Sequence, residues 1–164
     1  MDIITALAVV IGIMGGIATW LAVTMGSPYV LIWAIFIAWA SFYGAGGKEA
    51  GLQKSAVANI WGIVCATVAL IAAQAMGVSA VTAGICVAIS VVVLIMGAKV
   101  PALSAIPSGV YGYASTAAAV LTGASLGGGA GALVQVGIAI AVSMVIGNVL
   151  GYISEKVAGS VAKS

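Results

Sequence analysis

Histidine and arginine are missing from this sequence, and charge of either sign is scarce: five lysines, two glutamates and one aspartate stand among 164 residues. Water-soluble domains keep roughly a quarter of their residues charged, so a charged share of 5% excludes an ordinary soluble globule. General acid and base catalysis needs titratable groups converging on one site. Without histidine, and with its carboxylates confined to the edges of apolar runs, the chain is not expected to be an enzyme. The two cysteines, Cys65 and Cys86, lie inside apolar runs, too few for a disulfide framework or a metal site, and read as small buried hydrophobes. No metal or cofactor is expected. Five dispersed lysines make no basic stripe, which excludes nucleic acid as a partner. The run Leu126-Gly127-Gly128-Gly129-Ala130-Gly131 lacks the lysine and the preceding strand of a phosphate-cradling loop and reads as a flexible turn.

What is present is oil: 64% of the residues are hydrophobic and the mean hydropathy is +1.33. A bilayer core about 30 Å thick takes roughly 20 apolar residues in a helix. Six uncharged runs, at about 3–25, 29–43, 55–76, 79–97, 107–122 and 131–153, are separated by glycine, proline or charge. They are continuous rather than alternating, which favours helices over a barrel. The expected fold is therefore all-α: one polytopic membrane domain of six transmembrane helices, some short or broken, with membrane lipid as its first partner. The acidic start and the length of the first run argue against a cleaved signal peptide.

Asp2 precedes the first run; Lys48, Glu49 and Lys54 separate the second and third; Lys99 separates the fourth and fifth; Glu155, Lys156 and Lys163 follow the sixth. The alternate connections carry no charge, so a six-span chain places all five lysines on one face. The positive-inside rule makes that face cytoplasmic, with both termini inside. Trp39, Phe42, Tyr43 and Tyr152 then fall near the inner boundary and Trp20 and Tyr29 near the outer one, as an aromatic belt requires.

No ionisable group lies at membrane depth, where proton-coupled transporters carry one, unless Lys54 or Lys99 reaches inward. Passive movement of a solute is favoured. The fifth and second runs, about 24 Å and 22 Å long at 1.5 Å per residue, fall short of the core thickness. Val100 to Ile106, bounded by Pro101 and Pro107, is apolar enough to dip into the membrane. Short, interrupted segments of this kind point to a substrate site. At 100° per residue, Ser108, Tyr111, Ser115 and Thr122 fall within an arc of about 60° on the fifth helix, a face able to hydrogen-bond a small solute. The competing reading is helix packing through small and hydroxylic residues. Asn59 shares a face with Gly62, Ala66, Ala69 and Ala73, and Trp33 and Trp61 lie deep in their spans. The expected solute pathway comprises Ser108, Tyr111, Ser115, Asn59, Trp61 and Thr122. Gln74, Gln135, Ser143 and Asn148 should each face protein or water. Two stripes of small residues, Thr5-Gly12-Gly16-Thr19 and Gly147-Gly151, read as helix interfaces that include contacts between subunits of a homo-oligomer.

Ser55-Ala56-Val57 followed by Asn59-Ile60-Trp61-Gly62 is echoed by Ser104-Ala105-Ile106 followed by Gly109-Val110-Tyr111-Gly112. The echo could mark a parallel repeat of helix pairs, but in a chain this rich in alanine, glycine and valine chance is the better reading. Trp33, Phe36, Trp39-Ala40-Ser41-Phe42, Gly46-Gly47, Gly51, Asn59 and Gly62, with Ile106-Pro107-Ser108-Gly109 and Gly112, resemble a family of small bacterial inner-membrane proteins of unknown function, the DUF1097 type. The resemblance implies a polytopic inner-membrane protein of about this length and supplies no substrate. In general style the short helices are similar to those of urea and other small-solute channels. The expected function is a passive channel or facilitator for a small neutral or anionic solute. The alternatives are a non-transporting scaffold or subunit of a larger complex, and a sodium-coupled transporter.

Overall fold

A computed structural model describes residues 1–123 and 129–162. The described residues fold into six α-helices: α1 (Ile3–Met25), α2 (Ile32–Gly44), α3 (Lys48–Ala75), α4 (Ala80–Met96), α5 (Ile106–Leu121) and α6 (Gly129–Val161). Two short 3-10 turns, Gly97–Lys99 and Pro101–Leu103, join α4 to α5. The first part of the expected glycine turn, 126–128, and Lys163 lie outside the described residues; Gly129, Ala130 and Gly131 open α6.

The helix ends follow from local chemistry. Asp2 caps α1, its carboxylate accepting the Thr5 N–H at 3.0 Å, and Gly26 closes that helix in the left-handed region at φ 55°. Ser79 and Thr82 form a reciprocal capping box on α4, their hydroxyls accepting each other's backbone N–H at 3.1 and 2.9 Å. No side chain of its own segment caps α2; Ser143 of α6 accepts the Leu31 N–H at 2.9 Å instead. The start of α3 is likewise served from α6, where Glu155 Oε2 accepts the Lys48 N–H at 2.7 Å. A carboxylate there also opposes the positive end of the helix dipole. This explains why α3 begins at Lys48 rather than near Ser55: the helix continues past its apolar stretch because its first turn has a partner. By the same continuation α6 carries Glu155 and Lys156 on its last turns. Tyr152 Oη and Lys156 Nζ donate to Glu49 Oε1 at 2.6 and 3.1 Å, on the exposed first turn of α3. These two bonds hold the Glu49 carboxyl down to about 2.

Among the described residues four helices, α1, α3, α4 (with its 3-10 extension) and α6, are long and apolar enough to cross a membrane; α2 is apolar but only 13 residues long. α3 and α6 form the centre, 44% and 50% of their most apolar windows being buried, against 11% for α1 and α4 at the periphery. α2 and α5 fill the angle between them, α2 lying on α6 and α5 on α3. Ile13, Val23, Val68, Val81, Ile89 and Val92 face outward, while Ser41, Ser55, Asn59, Ser108 and Asn148 are buried. An apolar exterior around a hydroxyl- and amide-bearing interior is compatible with insertion into a membrane.

Candidate functional site

Glycines bring the four inner helices close enough for short polar side chains to meet. α3 and α5 run in the same direction and cross at Gly62 and Gly112. A Cβ on Gly62 would strike the Gly109 carbonyl oxygen, and one on Gly112 the Asn59 carbonyl oxygen. The alignment that matches Asn59 with Gly109 and Gly62 with Gly112 interchanges these two contacts. The two echoed stretches, alike by chance on the sequence reading, thus lie against each other with a locally two-fold pair of contacts. α2 and α6 also run in the same direction, Leu31 meeting Ser143 and Trp39 meeting Ser154, and Gly147 and Gly151 lie against Ile35 and Phe42. That GxxxG pair therefore closes an interface inside the subunit, whereas Gly12 and Gly16 on α1 face open space.

At the level of the α3–α5 crossing, Ser41 of α2, Ser55 and Asn59 of α3, Ser108 of α5 and Asn148 of α6 form one network, none more than 2% exposed. Asn59 Nδ2 donates to the Ser108 carbonyl oxygen at 2.7 Å and to Ser41 Oγ at 3.3 Å. Asn148 Nδ2 donates to Asn59 Oδ1 at 2.8 Å and to the Met144 carbonyl oxygen at 2.9 Å. The Ser41 hydroxyl donates to Ser108 Oγ at 2.9 Å and lies 2.7 Å from Ser55 Oγ; the Ser55 hydroxyl reaches Asn59 Oδ1 at 3.4 Å. Asn148 Oδ1, Ser115 Oγ and Thr67 Oγ1 are buried atoms with no hydrogen-bond partner among the described residues.

Of the residues expected to line a pathway, the structure brings Asn59 and Ser108 together and buries Ser115 on the same helix as Ser108. The other three stand elsewhere. Tyr111, at the edge of the hydroxyl arc, is 41% exposed on the outer surface. Trp61 lays its ring on Gly97 and donates Nε1–H to the Leu94 carbonyl at 3.2 Å. Thr122 lies just past α5 and turns its hydroxyl back to the Ala118 carbonyl at 2.8 Å. Ser41, Ser55 and Asn148 join the site without having been singled out for it. The sequence carried a partial signal, since Ser55 and Asn59 are four apart on one face of α3; nothing in it connects that face to α2 or α6.

Lys54 and Lys99, the two lysines nearest the spans, are exposed, as are Gln74 and Gln135. The Val100 to Ile106 segment forms a 3-10 turn against α3. A cavity of about 380 Å³ between α3 and α4 has apolar walls that include Trp61, Val64, Val68 and Ile85. Among the described residues no three His, Cys, Asp or Glu side chains gather where a metal ion could be held.

The sequence profile of a family described as "Protein of unknown function (DUF1097)" matches residues 8–159. The chain belongs to that family. The match spans all six helices, so the polar network and the glycine crossings of this DUF1097 member lie within the family domain. No curated protein and no solved structure matches the chain.

Proposed function

We propose that this DUF1097 protein crosses the bacterial inner membrane six times, both termini cytoplasmic, and provides a passive route for a small solute through the core between α2, α3, α5 and α6. The observation that carries this reading is the interior itself. Amide and hydroxyl groups from four helices converge where lipid-filled or tightly packed cores hold apolar side chains, and Asn148 Oδ1 and Ser115 Oγ are buried without partners. Buried polar atoms in native proteins are nearly always paired, with protein or with ordered water, so these two atoms suit a hydrated route. The six-span arrangement is supported by the meeting of the Gly47–Lys48 turn with Glu155, which brings four of the charged residues to one end of the bundle. A homo-oligomer is part of the proposal, with the open Gly12–Gly16 face of α1 as its contact.

Flux in proteoliposomes tests the route, using urea, formamide, formate and ammonia in turn. The expected result is passage of at least one solute, independent of sodium and of a proton gradient, lowered at least tenfold in Ser115→Ala. A rival reading, a non-transporting scaffold, draws on the close backbone contacts at Gly62, Gly112 and Gly147, which suit a rigid, closed core. Absence of flux for every solute in the panel would favour it.

A further inference from the structure

We propose that the chain is an inverted repeat of two three-helix halves, α1–α3 and α4–α6, and that the halves rock against each other to open the interior toward one end of the bundle at a time. This rests on the route proposed above and supplies the motion by which a solute would use it.

The halves correspond helix by helix. A shift of 74 positions carries Ile32, the first residue of α2, onto Ile106, the first of α5, and Met25, the last of α1, onto Lys99, the last of the 3-10 turn that extends α4. A shift of 85 carries α3 wholly within the bounds of α6. The contacts obey the same two shifts. A Cβ on Gly62 of α3 would strike the Gly109 carbonyl oxygen of α5; one on Gly147 of α6, 85 positions after Gly62, would strike the Ile35 carbonyl oxygen of α2, 74 positions before Gly109. As α5 lies on α3, so α2 lies on α6; as α4 flanks α3, so α1 flanks α6. The outward cavity faces agree too, Gly12, Gly16 and Thr19 of α1 falling on Cys86, Ser90 and Val93 of α4. α3 and α6 run oppositely, with Lys48 beside Glu155 and Thr67 beside Gly137, so the axis relating the halves crosses the helices rather than following them. The likeness of Asn59–Gly62 to Gly109–Gly112 lies within one of the paired contacts and is a separate relation.

Halves of like build facing opposite ways give any state open at one end a counterpart of similar energy open at the other, reached when the halves exchange shapes. The described state is shut at both ends. Glu155 accepts the Lys48 N–H at 2.7 Å at the charged end, and at the other Thr67 Oγ1 lies 2.8 Å from where a Cβ of Gly137 would stand. Between these two closures α3 and α6 meet at Asn59 and Asn148, 2.8 Å apart, so parting them at one end presses them together at the other. Ser41 and Ser115 correspond under the 74-residue shift and are each no more than 2% exposed. Ser41 lies near the end of α2, toward the charged end, and Ser115 lies well along α5, toward the opposite one.

Thiol reactivity in detergent micelles reads the exchange without reference to membrane sidedness. In the full chain carrying Cys65→Ala and Cys86→Ala, a cysteine is placed at Ser41 or at Ser115 and its rate with a small methanethiosulfonate is measured. Glu155→Ala removes the bond at the charged end, on an exposed turn where water can replace it. It is expected to raise the Ser41→Cys rate and lower the Ser115→Cys rate, each at least threefold. Gly137→Val, a wedge at the other end, should do the reverse. Rates that rise together, or a Ser115→Cys rate indifferent to Glu155→Ala, would overturn the inference, since loosening without exchange gives those results. If Ser41→Cys disturbs its hydrogen bonds, backbone amide exchange in the chain with its own serines reads the same reciprocity between the start and the end of α3. Proteoliposome flux separates the two levels: reciprocal rates without flux of any solute leave the exchange standing and remove the route, whereas flux with rates that are not reciprocal does the opposite.

Discussion

Asn59 is the residue whose loss the interior should feel most. It donates to α2 and α5 and accepts from α6, so it ties three helices to α3 through one side chain. Asn59→Leu keeps the volume roughly but strands the Ser108 carbonyl and the Asn148 amide, and a buried polar group left unpaired costs about 1–3 kcal/mol. Unfolding in mixed detergent micelles should register a loss of that size, whereas Tyr111→Phe, on the outer surface, should change it by less than about 0.5 kcal/mol. Glu49 supplies the pH dependence at this scale. Its folded value of about 2 lies below the ordinary 4.5 because Tyr152 and Lys156 donate to it. A depressed carboxylate contributes stability that is present above its unfolded value and lost as pH falls through its folded one. Stability of the native chain should therefore decline between pH 4.5 and 2, and Glu49→Gln should flatten that decline; equal slopes in the two proteins would remove Glu49 as the cause.

At the scale of the helix, small residues decide which pairs approach. Gly62→Ala and Gly112→Ala each place a methyl group against a carbonyl of the facing helix, backbone that cannot rotate away, so α3 and α5 must separate. Overpacking of this kind costs typically 1–3 kcal/mol and occasionally more, and it should disperse the polar network along with the crossing. Gly84→Ala is the internal comparison, because its Cβ meets nothing within 4 Å in the interior of α4. There the helix should gain up to about 1 kcal/mol from propensity. Thermal unfolding of the three variants checks the ordering, and equal melting temperatures would refute the crossing. The helices themselves were legible from composition and punctuation, to within a few residues at most ends. α3 and α6 overran their expected limits for one physical reason: a hydropathy run marks where lipid would begin, but a helix continues wherever its end finds a hydrogen-bonding partner, here between Lys48 and Glu155. The echo between Asn59-Gly62 and Gly109-Gly112 was legible as letters, but its meaning as a parallel crossing depended on contact.

At the scale of the whole molecule, the proposed six spans and cytoplasmic charged end make a topological prediction. Single cysteines placed at Lys54 and Lys99 in a chain lacking Cys65 and Cys86 should react with a membrane-impermeant maleimide only in inverted vesicles, and cysteines at Ser27 and Val78 only in intact spheroplasts. Labelling of position 54 from outside would break the even span count.

Charge poverty and the spacing of apolar runs determined by themselves that this is a helical chain compatible with a membrane, because burying polar backbone in lipid leaves few alternatives to helices. They also determined where the charged residues fall along the chain. Which helices touch, and therefore which of the hydroxyl and amide groups form one site, was decided only by tertiary structure. Helical periodicity orders residues within one helix and says nothing of the angle at which another crosses it. Ser108 and Ser115 turned inward while Tyr111, on the same arc, turned out, because the glycine crossing with α3 set the rotation of α5, and that contact joins residues nearly 50 positions apart.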